Sequence, residues 1–186
     1  MPDFPGPIPT TDDELAAWLH LWLGFRTPRH ALLEHNHAPF AYLAHAFFED
    51  RSPRDCVVWA NRGGGKTYLG AVATALDLIF KPGIEIRVLA GSLEQSKRMH
   101  SHLRDLFERD GFKDMVEGKI TERRVRLTNG SCVELLAQSQ TSVRGTRVQK
   151  LRCDEVELFD PDVWDAAQLT TRSKQCGPVQ VRGAIE

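Results

Sequence analysis

The chain has 186 residues, 41% of them hydrophobic and 26% charged, with a formal net charge of -1; these values exclude a disordered, collagen-like or membrane-embedded chain and suit one soluble domain with a single core. The longest apolar-rich stretch, Ala71 to Phe80, contains Asp77 and is too short to span a bilayer, and the N-terminus MPDFPGPIPTTDDE lacks the basic and apolar regions of a secretory signal, so a cytoplasmic protein is expected. Near neutrality conceals blocks: residues 81–152 hold 15 Lys and Arg against 9 Asp and Glu, while residues 153–186 hold 3 against 7, so the middle could meet phosphates or simply present solvated helix and hairpin faces.

Residues 1–10 form a Pro-rich arm, expected to be extended and mobile. A helical segment follows over 11–54. Thr11 with Glu14 three residues on makes a capping box, and Leu15, Trp18, Leu19 and Trp22 line one face of a helix that Gly24 ends. A second helix is expected from Pro39 to about Asp50, broken by Arg51-Ser52-Pro53. His35-Asn36-His37 reads as loop.

From Asp55 short apolar runs alternate with longer helical ones, the pattern of an α/β domain on a mainly parallel sheet. Cys56 to Ala60 reads as a buried strand, Asn61 to Gly65 as a glycine-rich turn, and Lys66 to about Phe80 as a helix ended by Pro82-Gly83. Ile84 to Ala90 is the next strand. Ser92, with Gln95 three residues on, caps a helix running to about Arg109. Val125 and Leu127, the turn Asn129-Gly130 with positive φ angles, and Cys132 to Leu136 make a hairpin. Val148 to Cys153 is a strand candidate, Pro161 to Thr171 a helix, and Val179 to Val181 the start of another strand. Cys56, Cys132, Cys153 and Cys176 form no C-x-x-C pair, which argues against a zinc site or a disulfide scaffold and for reduced thiols.

The sharpest motif is Ala60-Asn61-Arg62-Gly63-Gly64-Gly65-Lys66-Thr67, set between a predicted strand and a predicted helix. Glycines let successive N–H groups curl around phosphate oxygens, the helix N-terminus adds its positive end, a lysine reaches the β- and γ-phosphates, and Thr67 would ligate Mg²⁺. The pattern departs from G-x-x-x-x-G-K-[ST] at Ala60, and the plain alternative is a glycine turn with a surface lysine. Asp154-Glu155 supplies the acidic pair that such an ATPase needs, Asp154 for the metal and Glu155 as general base; alone it would be a solvated turn. Lys150 and Arg152 are out of place in a buried parallel strand. Either that strand is partly exposed or the segment is no strand.

In this order the motifs resemble the N-terminal ATPase domain of phage terminase large subunits. The resemblance rests on Arg62 within R-G-G-G-K-T, on the Asn129-Gly130-Ser131 hairpin followed by Thr141-Ser142-Val143-Arg144-Gly145 and Asp154-Glu155, and on Leu89-Ala90-Gly91-Ser92 with the helix carrying Gln95. It implies a P-loop NTPase fold of the ASCE type, with a mainly parallel central sheet, helices on both faces and an N-terminal helical extension, the core spanning 55–186. It implies ATP and Mg²⁺ as ligands, with Arg62, Gly63, Gly64, Gly65, Lys66 and Thr67 on the nucleotide, Thr67 and Asp154 on the metal, and Glu155, Lys66 and Arg62 in catalysis. Arg144 becomes a candidate for coupling or for reaching a neighbouring subunit's ATP, the alternative being a surface arginine in a turn. The region Pro39 to Tyr42 would lie near adenine.

Double-stranded DNA, a portal, a small terminase subunit and a ring of subunits are the implied partners, in the host cytoplasm at the procapsid. The pattern stops just before the family's coupling motif and nuclease domain, so a truncated chain, a gene fragment or one half of a split protein is expected, without nuclease activity and weak in isolation. Two other readings stay open: a helicase-like DNA-dependent ATPase, and a non-hydrolysing nucleotide-binding assembly module that docks through Trp18 and Trp22.

Overall fold

The computed structural model describes residues 4–31, 33–136, 143 and 145–186. Helix α1 (Asp12–Leu23) opens on the expected capping box: Glu14 N donates to Thr11 Oγ1 at 3.2 Å and Thr11 N to Glu14 Oε2 at 3.3 Å, which satisfies two N–H groups of the helix start. Gly24, at φ 62°, closes it in the left-handed conformation. Leu15, Trp18 and Leu19 are buried. Trp22 meets the ring of Phe4 edge-on at 4.8 Å, Phe4 in turn meets Phe112 at 4.6 Å, and Trp18 Nε1 donates to Pro5 O at 2.8 Å. From Phe4 onward the described part of the arm packs on α1 and Phe112 through aromatic contacts and one hydrogen bond. The same contacts turn Trp18 inward and leave Trp22 half-covered.

Helix α2 (Pro39–Phe47) begins on proline and buries Phe40, Leu43 and Phe47. Helix α3 (Lys66–Phe80) is buried at every position from Leu69 to Phe80, as befits an apolar helix covered on all sides. It packs against α2 and against α4 (Leu93–Phe107). The sheet contains β1 (Glu85–Ala90), β2 (Arg124–Arg126), β3 (Cys132–Leu135), β4 (Lys150–Asp154) and β7 (Ala184–Ile185), in the order β2-β3-β1-β4-β7. Pairing is parallel except between β2 and β3. Strands β5 (Lys174–Cys176) and β6 (Val179–Val181) form a separate antiparallel pair.

Ile86, Val88 and Val133 share the main core with the helices α1 to α4, while Leu89 and Leu151 pack against Val163, Ala166 and Ala167 of α5 (Pro161–Ala167). Helices thus lie on both faces of the sheet. In the hairpin turn only Gly130 takes a positive φ, 84°. Asn129 serves a different end from the one its sequence suggests, donating through Nδ2 to Leu78 O at 2.8 Å and Ile79 O at 3.3 Å in the last turn of α3.

Two expectations are corrected here. Cys56 to Ala60 is not a buried strand: it has no regular structure, meets β7 through Cys56 N to Ile185 O at 3.1 Å, and leaves Val57 85% and Trp59 90% exposed. Its apolar composition meets a β7 of two residues, which offers little ladder to pair with. Conversely, β4 is a regular strand, and Lys150 and Arg152 are buried within it. Neither exposure nor misassignment explains them; they are neutralised by partners on other elements.

Arg152 Nη2 lies 2.7 Å from Asp77 Oδ2 of α3 and 2.9 Å from Glu186 Oε2, Lys150 Nζ lies 3.2 Å from both Asp77 Oδ2 and Glu186 Oε1, and Lys81 Nζ bridges Asp77 Oδ1 at 2.6 Å and Glu49 Oε1 at 2.7 Å. Arg54 Nη2 stands 3.5 Å from Glu49 Oε2 as well, so three carboxylates face four cations in the interior. Burial alone would raise the Asp77 carboxyl, but Lys150, Lys81 and Arg152 together hold it well below the usual carboxylate range. Glu186 is lowered in the same way by Lys150 and Arg152 against its own burial.

Candidate functional site

The glycine loop joins the irregular segment Cys56 to Ala60 to the N-terminus of α3. Gly63 and Gly65 take φ 80° and 78°, conformations that L side chains rarely adopt. Gly64 N donates to Asn61 O at 3.1 Å, and a Cβ at Gly64 would stand 2.8 Å from Asn61 Oδ1 and 3.0 Å from Asn61 O. A side chain at Gly64 would press on Asn61, while its neighbours Gly63 and Gly65 favour glycine by angle. Gly65 caps α3 without a side-chain hydrogen bond, which leaves the first N–H groups of the helix to an incoming acceptor. Lys66 Nζ donates back to Ala60 O at 2.8 Å, across the loop. Arg62 is exposed on its rim.

The acidic pair arrives from β4. Asp154 ends that strand, and Thr67 Oγ1 donates to Asp154 Oδ2 at 3.1 Å although the two are 87 residues apart. The next residue, Glu155, has φ 54° and ψ 49°, an uncommon conformation for a residue with a side chain that costs about 1–3 kcal/mol and gathers at functional sites. Gln95 Nε2 donates to Glu155 Oε2. Gln95 was legible only as part of a helix start. Its backbone N does donate to Ser92 Oγ at 3.3 Å, but its side chain crosses to Glu155 rather than completing a capping box. Gly91 permits the crossing, since a Cβ there would come within 2.9 Å of both Gln95 Oε1 and Leu158 Cβ.

A hydroxyl and a carboxylate within hydrogen-bond distance form a hard-oxygen pair of the kind Mg²⁺ takes. Among the described residues no group of three or more His, Cys, Asp or Glu could hold a metal; Mg²⁺ in turn is usually bound through one or two carboxylates together with phosphates and water, so the residues present fit it. Arg144 and most of the Thr141–Gly145 segment lie outside the described residues. Phe40, from the region expected near adenine, lines a cavity of about 350 Å³ with Phe25, Arg26 and Arg29. Phe25 packs edge-on at 5.2 Å against Tyr68, the residue after Thr67. The four cysteines are free, and no described helix is long and apolar enough to cross a membrane.

No family model and no curated protein sequence matches the chain. Solved structures do. The large terminase ATPase domain of Thermus phage P74-26 superposes with a TM-score of 0.57 at 16% identity, over 83% of this chain and 63% of its own; a mutant of the same domain gives 0.59 at 16% identity and the same coverage. The large terminase of a thermophilic bacteriophage, in complex with ADP, gives a TM-score of 0.48 at 17% identity, over 65% of this chain and 29% of its own. The chain spans less than two thirds of each of these proteins. With its mostly parallel sheet clad by helices and its glycine loop leading into α3, the chain has the fold of the phage large terminase ATPase domain.

Proposed function

We propose that the chain binds and hydrolyses Mg·ATP, and that within a whole packaging protein this hydrolysis drives double-stranded DNA into a capsid. The observation that carries the reading is the Thr67 to Asp154 hydrogen bond, which brings together two motifs 87 residues apart that would form the halves of a nucleotide site. The fold likeness supports the packaging role. The backbone N–H groups of Gly63 to Thr67 and the ammonium of Lys66 would receive the phosphates, Lys66 exchanging its bond to Ala60 O for phosphate oxygens. Arg62, exposed on the rim, would turn to the γ-phosphate. Mg²⁺ held by Thr67 and Asp154 would offset the negative charge on the β- and γ-oxygens.

Glu155 would take a proton from the attacking water while the water oxygen bonds to the γ-phosphorus. The bond to the β-bridging oxygen then breaks, its electron pair leaving on ADP, and phosphate is released. Gln95 would hold the Glu155 carboxylate in place until the water arrives. Arg144 would act between subunits of a ring, and portal and small subunit would be the further partners in the cytoplasm of the host.

The test is calorimetric titration with ATP in Mg²⁺. Lys66→Ala is expected to weaken binding by about a hundredfold, roughly 2.7 kcal/mol for a charged hydrogen-bonding partner lost from a phosphate. A variant that binds as tightly as wild type would remove the loop from the nucleotide site. DNA strand separation by a longer protein carrying this domain, in place of packaging, would favour the helicase-like alternative.

A further inference from the structure

Resting on the Mg·ATP reading, we propose that Arg152 is a positioning residue that sets the separation of Thr67 and Asp154, and so tunes the affinity of the site for Mg²⁺. Side chains two apart on a strand share a face, as do residues seven apart on a helix. Arg152 and Asp154 are so related on β4, and Thr67 and Thr74 on α3. Two polar rungs therefore cross between the same helix and the same strand. The outer one is Thr67 Oγ1 to Asp154 Oδ2 at 3.1 Å; the inner one is Arg152 Nη1 to Thr74 Oγ1 at 2.5 Å.

The inner rung is over-determined. Arg152 Nη2 donates to Asp77 Oδ2 at 2.7 Å, one turn further along α3, and Nε donates to Glu186 Oε2 at 3.0 Å. Thr74 Oγ1 itself donates to Gly70 O at 2.7 Å, which turns a lone pair toward the guanidinium. Apolar packing between a helix and a strand resists separation but tolerates small sliding. A planar guanidinium held at three edges does not. Sliding of α3 along β4 would part Thr67 from Asp154 directly, because both lie at the adjoining ends of these two elements. Lys81 also belongs to the buried cluster, but it sits at the far end of α3, on Glu49 and Asp77. It shares the charge balance without sharing the inner rung.

This difference provides the test. ATP binding is measured by calorimetry across a Mg²⁺ series and again in EDTA, alongside thermal unfolding, for wild type, Arg152→Lys, the double variant Asp77→Leu/Arg152→Met and Lys81→Met. Arg152→Lys keeps the charge and loses the fork; the double variant removes one charge of each sign and leaves the net charge of the cluster unchanged, so folding is preserved in at least one background. In both, the Mg²⁺ concentration for half-maximal binding is expected to rise about tenfold, with affinity in EDTA unchanged, the size of effect seen when a group supporting a metal ligand is removed. Lys81→Met is expected to lower the unfolding midpoint without moving the Mg²⁺ dependence. Wild-type Mg²⁺ dependence in the folded Arg152 variants, or an equal shift in Lys81→Met, overturns the inference. Wild-type protein that binds no nucleotide overturns the reading beneath it.

Discussion

Glu155→Gln is expected to bind Mg·ATP within about twofold of wild type and to hydrolyse it about 10²–10⁴ times more slowly, the range for loss of a positioned general base. The substitution keeps the shape of the side chain, and its amide oxygen can still accept from Gln95 Nε2. It removes only the capacity to take a proton. The backbone at Glu155, at φ 54°, would persist in the variant, since glutamine meets the same steric limits there. Steady-state phosphate release set beside calorimetric binding checks the split. Equal turnover in wild type and variant would assign the base elsewhere.

The second large effect is on stability. Asp77→Ala is expected to lower the free energy of unfolding by about 3–5 kcal/mol, the cost of removing one partner from a buried ion cluster. Lys81, Lys150 and Arg152 all converge on that carboxylate, and an alanine would leave them facing Glu49 and Glu186 with an unbalanced charge. Urea unfolding followed by circular dichroism measures the loss. Acid should reach the same cluster by protonation. The folded-state pKa values of Asp77 and Glu186 are lowered, so their contribution is present above the unfolded values near pH 4 and is lost as pH falls through the folded ones. The unfolding midpoint of wild type should therefore fall steeply below about pH 4, and that of Asp77→Ala less so. An Asp77→Ala protein as stable as wild type would mean that the cluster is dispensable.

The elements set by local spacing were legible in the sequence. The capping box of α1, proline at the start of α2, the glycine loop and α3 all rest on neighbours within a few residues, and the structure has them there. What the sequence left obscure depends on partners far along the chain. Lys150 and Arg152 looked wrong for a buried strand because Asp77 and Glu186, which neutralise them, belong to elements that only folding brings alongside. The apolar run Cys56 to Ala60 suggested burial, but burial is a property of what lies next to a segment, and a short β7 covers little of it. Gln95 was placed correctly at a helix start while its side-chain partner, Glu155, was out of sight 60 residues away. Phe4 was submerged in a Pro-rich composition that says nothing of its two aromatic neighbours. The motifs at Lys66 and Asp154 could be named and paired from sequence; the contact by which they meet, Thr67 Oγ1 to Asp154 Oδ2, could not.

Trp59, left bare beside the glycine loop, has an optical consequence. Of the four tryptophans, Trp18 is buried, Trp22 and Trp164 are half-covered, and Trp59 is 90% exposed. It immediately precedes Ala60, whose carbonyl Lys66 Nζ holds. The chain thus carries an intrinsic fluorophore that aqueous iodide reaches before the others, beside the loop proposed to receive the phosphates, and its emission would follow the proposed exchange of Lys66 from Ala60 O to phosphate without any attached dye.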